Sequence, residues 1–231
     1  MKRVCNFQFS LFILACTISV LALGCKKAAD EQETATDKDG NVYHTTTIGT
    51  QTWFVENLKT TKYNDGTSIP NVTGKSEWDN LATAAYCWYN NDAATYKGNY
   101  GALYNWFAVN TGKLCPIGWH VATDEEWTTL SDFLGGTGIA GGRLKEDGTT
   151  HWSSPNEGAG DDYGFKALPA GDRYPASGFE FWGINEYCAI WTSTMENANY
   201  GYYREMYNDS EQIYREGTNK KFGFSVRCIK D

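Results

Sequence analysis

The sequence predicts an α+β domain with two helices, short antiparallel sheets and long packed loops. Three observations lead there. Residues 123–134 read as a capped amphipathic helix. Four short runs near the C-terminus, Ile190–Ser193, Tyr200–Met206, Gln212–Glu216 and Phe222–Ile229, alternate at period two with turns between them, the pattern of an antiparallel sheet. Between helix and strands, residues 135–190 are rich in Gly, Asp, Ser and Pro yet hold Trp152, Tyr163, Phe165, Phe179, Phe181 and Trp182, too aromatic for a linker.

The chain opens with a targeting segment. Lys2 and Arg3 form a basic start, and Leu11–Leu23 is a nearly unbroken apolar run, too short for a permanent span. It ends Leu21-Ala22-Leu23-Gly24-Cys25, a lipobox. Cleavage after Gly24 would leave Cys25 lipidated, each buried methylene of its acyl chains adding about 0.8 kcal/mol of membrane anchoring. Lys26-Lys27, with no Asp directly after Cys25, fits an outer-membrane lipoprotein. Whether it faces the periplasm or the cell surface stays open. Residues 1–24 are thus a signal peptide, and residues 25–38, polar and acidic, a flexible tether. Residues 39–231 remain, enough for one domain with a real core.

Losing Lys2 and Arg3 and no acid takes the formal charge from −8 to −10. So acidic a chain is a poor partner for nucleic acid or for anionic lipid surfaces. The lipid remains its expected route to a membrane.

Within the domain, Asp39-Gly40-Asn41 is a turn, and Val42–Ile48 and Gln51–Val55 flank Gly49-Thr50 as a hairpin. Asp37–Asn41 superficially suggests a calcium loop, but position twelve is Ile48 and not Glu. Asn64-Asp65-Gly66 is a tight turn, and Thr83–Tyr89 a candidate strand. Leu103, Trp106, Phe107 and Asn110 fall at helical spacing, predicting a helix within Tyr100–Asn110. Thr123 and Glu126 form a capping box, Asp124 and Glu125 suit the positive end of the helix dipole, and Trp127, Leu130 and Leu134 share one face. Gly135-Gly136 ends that helix. Trp53, Trp106, Trp119, Trp127 and Trp191 lie in these regular elements and are expected in the core.

Motif searches yield little chemistry. G-x-S-x-G, P-loop, H-E-x-x-H and G-x-G-x-x-G patterns are absent, and the histidines are His44, His120 and His151. His120, five residues after Cys115, could serve a thiol nucleophile; in an oxidising compartment a disulfide is the commoner use of such a cysteine. Acid pairs such as Asp161-Asp162 say little in a chain with 28 acids. No cysteine pair has metal-ligand spacing. The expectation is therefore no catalytic residues, no metal and no cofactor.

The runs Ile48–Leu58, Tyr63–Gly66, Ala85–Asp92, Tyr100–Asn110, Cys115–Trp127, Gly164–Gly171, Trp191–Thr194 and Gly223–Asp231 resemble the Fibrobacter succinogenes major paralogous domain. That is a family of extracytoplasmic lipoproteins abundant in Bacteroidetes and Fibrobacter. The resemblance covers nearly everything after about residue 37. More distantly, the order of helix, aromatic loop region and closing GFSVRC strand looks like the C-type-lectin-like fold, including its formylglycine-generating branch. Such a likeness concerns fold, and fold does not fix function. The catalytic cysteine pair of that branch is not reproduced by Cys188 and Cys228. The calcium loop of sugar-binding lectins is echoed by Ser154-Pro155-Asn156-Glu157, which lacks the preceding acid.

Besides Cys25, the chain beyond the signal has Cys87, Cys115, Cys188 and Cys228, which allow three pairings. The preferred one is Cys115–Cys228, tying the start of the helix segment to the last strand, with Cys87–Cys188 left over. Cys188 falls outside the family's usual pattern, so Cys87 and Cys188 stay open between a bridge and free thiols. Trp152, Tyr174 and Trp182 lie in the loop region where lectin-like folds bind, and Asn156, Asp162 and Arg173 could add polar contacts. The functional expectation is non-catalytic binding of a glycan, polysaccharide or protein partner at the cell surface by a lipid-anchored envelope protein. A structural adhesin component and an enzyme of unknown type are the alternatives.

Overall fold

The computed structural model of the protein describes residues 33–175 and 180–231. In chain order its strands are β1 (Thr34–Thr36), β2 (Val42–Ile48), β3 (Gln51–Phe54), β4 (Tyr86–Cys87), β5 (Leu103–Tyr104), β6 (Trp119–Val121), β7 (Ala170–Arg173), β8 (Phe181–Ile184), β9 (Tyr187–Met195), β10 (Tyr200–Tyr207), β11 (Tyr214–Asn219) and β12 (Cys228–Lys230). Its α-helices are α1 (Lys75–Asp79), α2 (Ala93–Tyr100), α3 (Trp106–Val109), α4 (Asp124–Phe133) and α5 (Thr137–Leu144). The class is α+β, as expected, with five α-helices among the described residues where two were expected. Two five-stranded sheets run β1-β2-β3-β12-β6 and β11-β10-β9-β7-β8, and β4 and β5 form a separate pair.

Local chemistry explains most elements. The β2–β3 hairpin turns at Gly49, whose φ is +62°, a region that costs glycine little. Asp37 Oδ1 accepts from the Asp39 and Asn41 amides, which closes the preceding turn as an Asx motif. In α4 the capping box is complete: the Glu126 amide donates to Thr123 Oγ1 at 3.2 Å, and the Thr123 amide to Glu126 Oε2 at 2.7 Å. Trp127, Leu130 and Leu134 are buried on one face.

Several boundaries differ from expectation. β1 pairs with β2, Ala35 opposite Tyr43, so part of the stretch read as tether is a sheet edge. The lipobox, Cys25 and the signal segment lie outside the described residues. The helix expected across Tyr100–Asn110 is interrupted: α2 ends at Tyr100, Leu103 pairs with Cys87, and helix resumes at Trp106 under an Asn105 cap. Gly101 forces the break. Its φ is +75°, and a Cβ there would meet Asn57 Cβ and Leu58 O at 2.8 Å. The glycine-rich TGIAGGRL run, read as loop, is α5. A Cβ at Gly141 would sit 2.2 Å from Gln212 O, and one at Gly142 2.5 Å from Gly158 O. Those glycines admit neighbouring backbone, and tertiary packing outweighs their poor helix propensity.

The C-terminal strands do not make one sheet. β9, β10 and β11 pair antiparallel, but β12 joins β3 and β6, and β7 enters beside β9 in parallel, Gly171 opposite Cys188. Phe224 and Ser225 bridge to Tyr104 and Ile190 on the way.

The sheets separate two cores. Adjacent residues on a strand point to opposite faces, so Phe54, Val121, Cys228 and Ala189 enter the first core, and Trp53, Ala122, Ile229 and Cys188 the second. Helices α4 and α5 contribute Trp127, Leu130, Ala140 and Leu144 to the second. Of the five tryptophans expected inside, Trp53, Trp106, Trp127 and Trp191 are buried, while Trp119 is half-buried. Arg227, fully buried, stitches the layers: Nε donates to Asn57 Oδ1 at 2.6 Å, and its terminal nitrogens to the carbonyls of Phe54, Phe165 and Lys166 at 2.9, 2.7 and 2.9 Å.

Cys115 and Cys228 are disulfide-bonded across 113 positions. The chain-entropy model assigns about 4–5 kcal/mol to a loop of that length. Cys87 and Cys188 are free, so the left-over pairing does not form. The thiols are committed to different clusters: Cys87 packs with Trp78 and Tyr89 against Arg173, and Cys188 with Ile190 and Met206. Burial pushes each thiol up to about 12, so both stay protonated and unreactive at neutral pH.

Candidate aromatic cleft

The second sheet is covered on one face by the second core, and on the other only in part: beyond Ala189 and Trp191, which enter the first core, that face opens into a cleft. Along β10, Arg204 and Met206 turn inward, and Met206 is fully buried in the second core. Tyr203, Glu205 and Tyr207, the alternate residues, face the other way into a cleft of about 530 Å³. The remaining walls come from Asp172 of β7, Tyr174 just beyond it, Trp182 of β8, Tyr187 of β9, Thr218 of β11, and Phe222 and Phe224.

Seven aromatic rings therefore surround this cavity, and they touch in two runs. Trp182 lies 5.0 Å from Tyr187, which stacks at 5.6 Å and 20° on Tyr207. Tyr203 packs 4.7 Å from Phe224, Phe224 5.3 Å from Phe222, and Phe222 4.8 Å from Tyr174. Trp182 and Tyr174 are 46% and 41% exposed and form the rim; Tyr187 and Phe224 are buried at the base. Gly171 makes the floor possible. Its φ is +61°, and a Cβ would stand 2.3 Å from Trp182 O, so any other residue would push β7 away from β8.

Two carboxylates sit among the rings. Asp172 is 5% exposed; its Oδ2 accepts from the Tyr187 hydroxyl, and its Oδ1 is buried without a partner among the described residues. Burial pushes Asp172 up to about 7, with the Tyr187 bond pulling down and Glu205 pushing further up. Glu205 is raised too, chiefly by burial, against hydrogen bonds from Tyr207 and Tyr203. Burial of Tyr187, Tyr203 and Tyr207 beside these acids raises all three phenols, so their hydroxyls remain donors. The wall is held from behind by Lys145, whose ammonium donates to Tyr207 O and Ser210 O at 2.8 and 2.9 Å. Burial lowers Lys145 to about 8.

Of the six residues expected to bind ligand, Tyr174 and Trp182 line this cleft. The other four do not. Trp152 is a core residue, 1% exposed, its Nε1 donating to Ala167 O at 2.9 Å. Asn156 is buried and holds Glu146 O and Gly148 O through Nδ2, so the Pro155-Asn156 loop uses its amide on its own backbone. Asp162 is exposed, 3.9 Å from Arg143. Arg173 is fully buried, its guanidinium on Trp78 and Phe181, donating to Val72 O, Thr73 O and Glu180. It follows Asp172 on β7, so strand alternation turns it away from the cleft.

Sequence reasoning missed Asp172, Tyr187, Tyr203, Glu205, Tyr207, Thr218, Phe222 and Phe224 as one site. The available signal was β10 itself, YGYYREMY, where Tyr203, Glu205 and Tyr207 share a face at period two. Nothing in the sequence says which face stays uncovered.

Other polar clusters have structural partners. His120 bridges Glu126 of α4 and Asp231 at 2.9 and 2.7 Å. Cys115 is in the disulfide, which leaves no thiol beside His120. Among the described residues no group of three or more His, Cys, Asp or Glu is placed to hold a metal, and no helix is long and apolar enough to cross a membrane.

Compared with known proteins, residues 46–230 match the family model of the Fibrobacter succinogenes major domain. No curated protein and no solved structure matches the chain.

Proposed function

The chain belongs to the Fibrobacter succinogenes major domain family, and from that premise we propose that it is a lipid-anchored envelope protein whose domain binds a glycan, without catalysis, in the aromatic cleft. Its fold is read as C-type-lectin-like, and its anchor as Cys25 in the outer membrane. The observation behind the binding reading is the gathering of seven rings around one open cavity. Tyr and Trp present flat apolar faces to sugar rings, and their polar edges reach sugar hydroxyls. A site with an apolar lining and a few convergent polar groups is the usual form of a small-ligand pocket.

The test is a glycan array probed with the mature protein in a polyoxyethylene detergent, with and without EDTA. Hits insensitive to EDTA and lost in Trp182→Ala support the reading. Hits that vanish with EDTA replace it with metal-dependent recognition. Hits that survive Trp182→Ala and Tyr174→Ala place binding elsewhere. A folded protein with no hits turns the assignment to a protein partner or to a structural role in the envelope. Two carboxylates in unlike settings can also serve acid–base chemistry, so hydrolysis of a bound oligosaccharide that is abolished by Asp172→Asn would make the protein an enzyme.

A further inference from the structure

Resting on the glycan reading, we propose that the cleft selects a cationic sugar, one bearing a free ammonium group that is received between Asp172, Glu205 and the surrounding rings. Three features of the cavity lead to this class of ligand.

First, the charge of the lining is one-sided. Asp172 and Glu205 are its ionisable acids, and no Lys, Arg or His stands among its lining residues. The titratable groups facing the two carboxylates are Tyr187 from β9, Tyr203 and Tyr207 from β10, and each other, with Glu216 on β11 and Tyr89 also within electrostatic reach. None supplies a positive charge. The guanidinium groups adjacent in sequence, Arg173 and Arg204, are spent on the opposite sides of β7 and β10.

Second, the phenol donors beside the two carboxylates are used. Tyr187 donates to Asp172, and Tyr203 and Tyr207 to Glu205. What remains unmatched is acceptor capacity, most plainly Asp172 Oδ1, buried without a partner. An ammonium group is a pure donor with three N–H bonds, and it would balance the charge that burial leaves costly. An anionic ligand would meet two carboxylates and no cation.

Third, the walls suit a cation as well as a ring. Aromatic faces attract positive charge through their quadrupole, more strongly in a desolvated site. Trp182 tilts against Tyr187, which stacks on Tyr207, in a contiguous row beside Asp172, so an amino sugar would stack its ring on the rim and lower its ammonium toward the acids.

The experiment uses matched pairs that differ in charge, measured by calorimetry on the mature protein in a polyoxyethylene detergent. A glucosamine oligomer is compared with the N-acetylated oligomer of equal length. Choline is compared with 3,3-dimethylbutanol, its neutral isostere. The expected result is that each cationic member binds at least about tenfold tighter than its neutral partner, and that Asp172→Asn and Glu205→Gln each erase most of the difference. Equal affinities within both pairs would overturn the proposal and leave the glycan reading standing. Binding of choline with neither oligomer bound would overturn both the amino-sugar assignment and the glycan reading. A lysine-rich peptide binding more tightly than the glucosamine oligomer would likewise displace the sugar. Because the matched pairs are run on the unaltered protein, a misfolded variant cannot decide the outcome.

Discussion

The two faces of β10 are the most instructive contrast in the molecule. On one, Arg204 and Met206 are covered by α4 and α5, and Arg204 pairs with Asp124 at 2.9 Å. On the other, Tyr203, Glu205 and Tyr207 face an open cleft with two acids and no base. The same strand thus presents a balanced face and an unbalanced one. Stable cores pair or exclude charge, because an unpaired buried charge is costly. A surface that keeps uncompensated acids beside exposed rings has given up stability there, and such sites are candidates for function.

That contrast can be broken most severely on the closed face. Trp127→Ala, which removes a fully buried ring packed on Trp53 and Phe165, should cost about 3–5 kcal/mol. Denaturant unfolding checks it. A loss under about 1 kcal/mol would mean that the covered face is not the stabilising one.

On the open face the sign should reverse. The folded value of Asp172 is pushed up to about 7, well above the roughly 3.9 of an unfolded aspartate. Its proton is held more tightly in the folded state, so its stabilising contribution is full below about pH 4 and is lost as pH rises through 7. Asp172→Asn should therefore gain on the order of 1–3 kcal/mol at about pH 8 and almost nothing at about pH 4, in the same unfolding measurement. Destabilisation at about pH 8 would show that the carboxylate is a net structural asset.

Trp182→Ala should sharpen the division of labour. Its ring is 46% exposed, so the stability loss should stay near 1 kcal/mol while glycan affinity falls by at least about tenfold. Loss of fold would remove the distinction between rim and core.

The smallest effect is expected away from both faces, at His120. Burial alone would lower its pKa, but hydrogen bonds and charge from Asp231 and Glu126 together hold it above its usual value. A raised folded value means that its contribution is present below the unfolded value of about 6.5 and is lost as pH rises through the folded one. His120→Gln should cost no more than about 1 kcal/mol at acidic pH, given its partial exposure, and less in the alkaline range. Thermal melts at the two extremes of pH test this; a larger loss on the alkaline side would invert the assignment.

The sequence by itself determined the features whose causes are local. The capping box of α4 and its Trp127–Leu130–Leu134 face, the Gly49 hairpin and the period-two runs of β9 and β10 were legible because neighbouring residues supply their energy, whereas the run Phe222–Ile229 is a strand only from Cys228 on, and of the three cysteine pairings left open the preferred Cys115–Cys228 is the one that forms. Tertiary structure alone decided the rest. It made TGIAGGRL a helix because approaching backbone needs its glycines, sent β12 to a different sheet from β9, and enclosed Trp152, Asn156 and Arg173, which look exposed in a polar loop region. It also decided which side of β10 stays open. Alternation divides residues between two faces, but covering one of them depends on where distant segments pack, and that is a property of the whole chain's contacts.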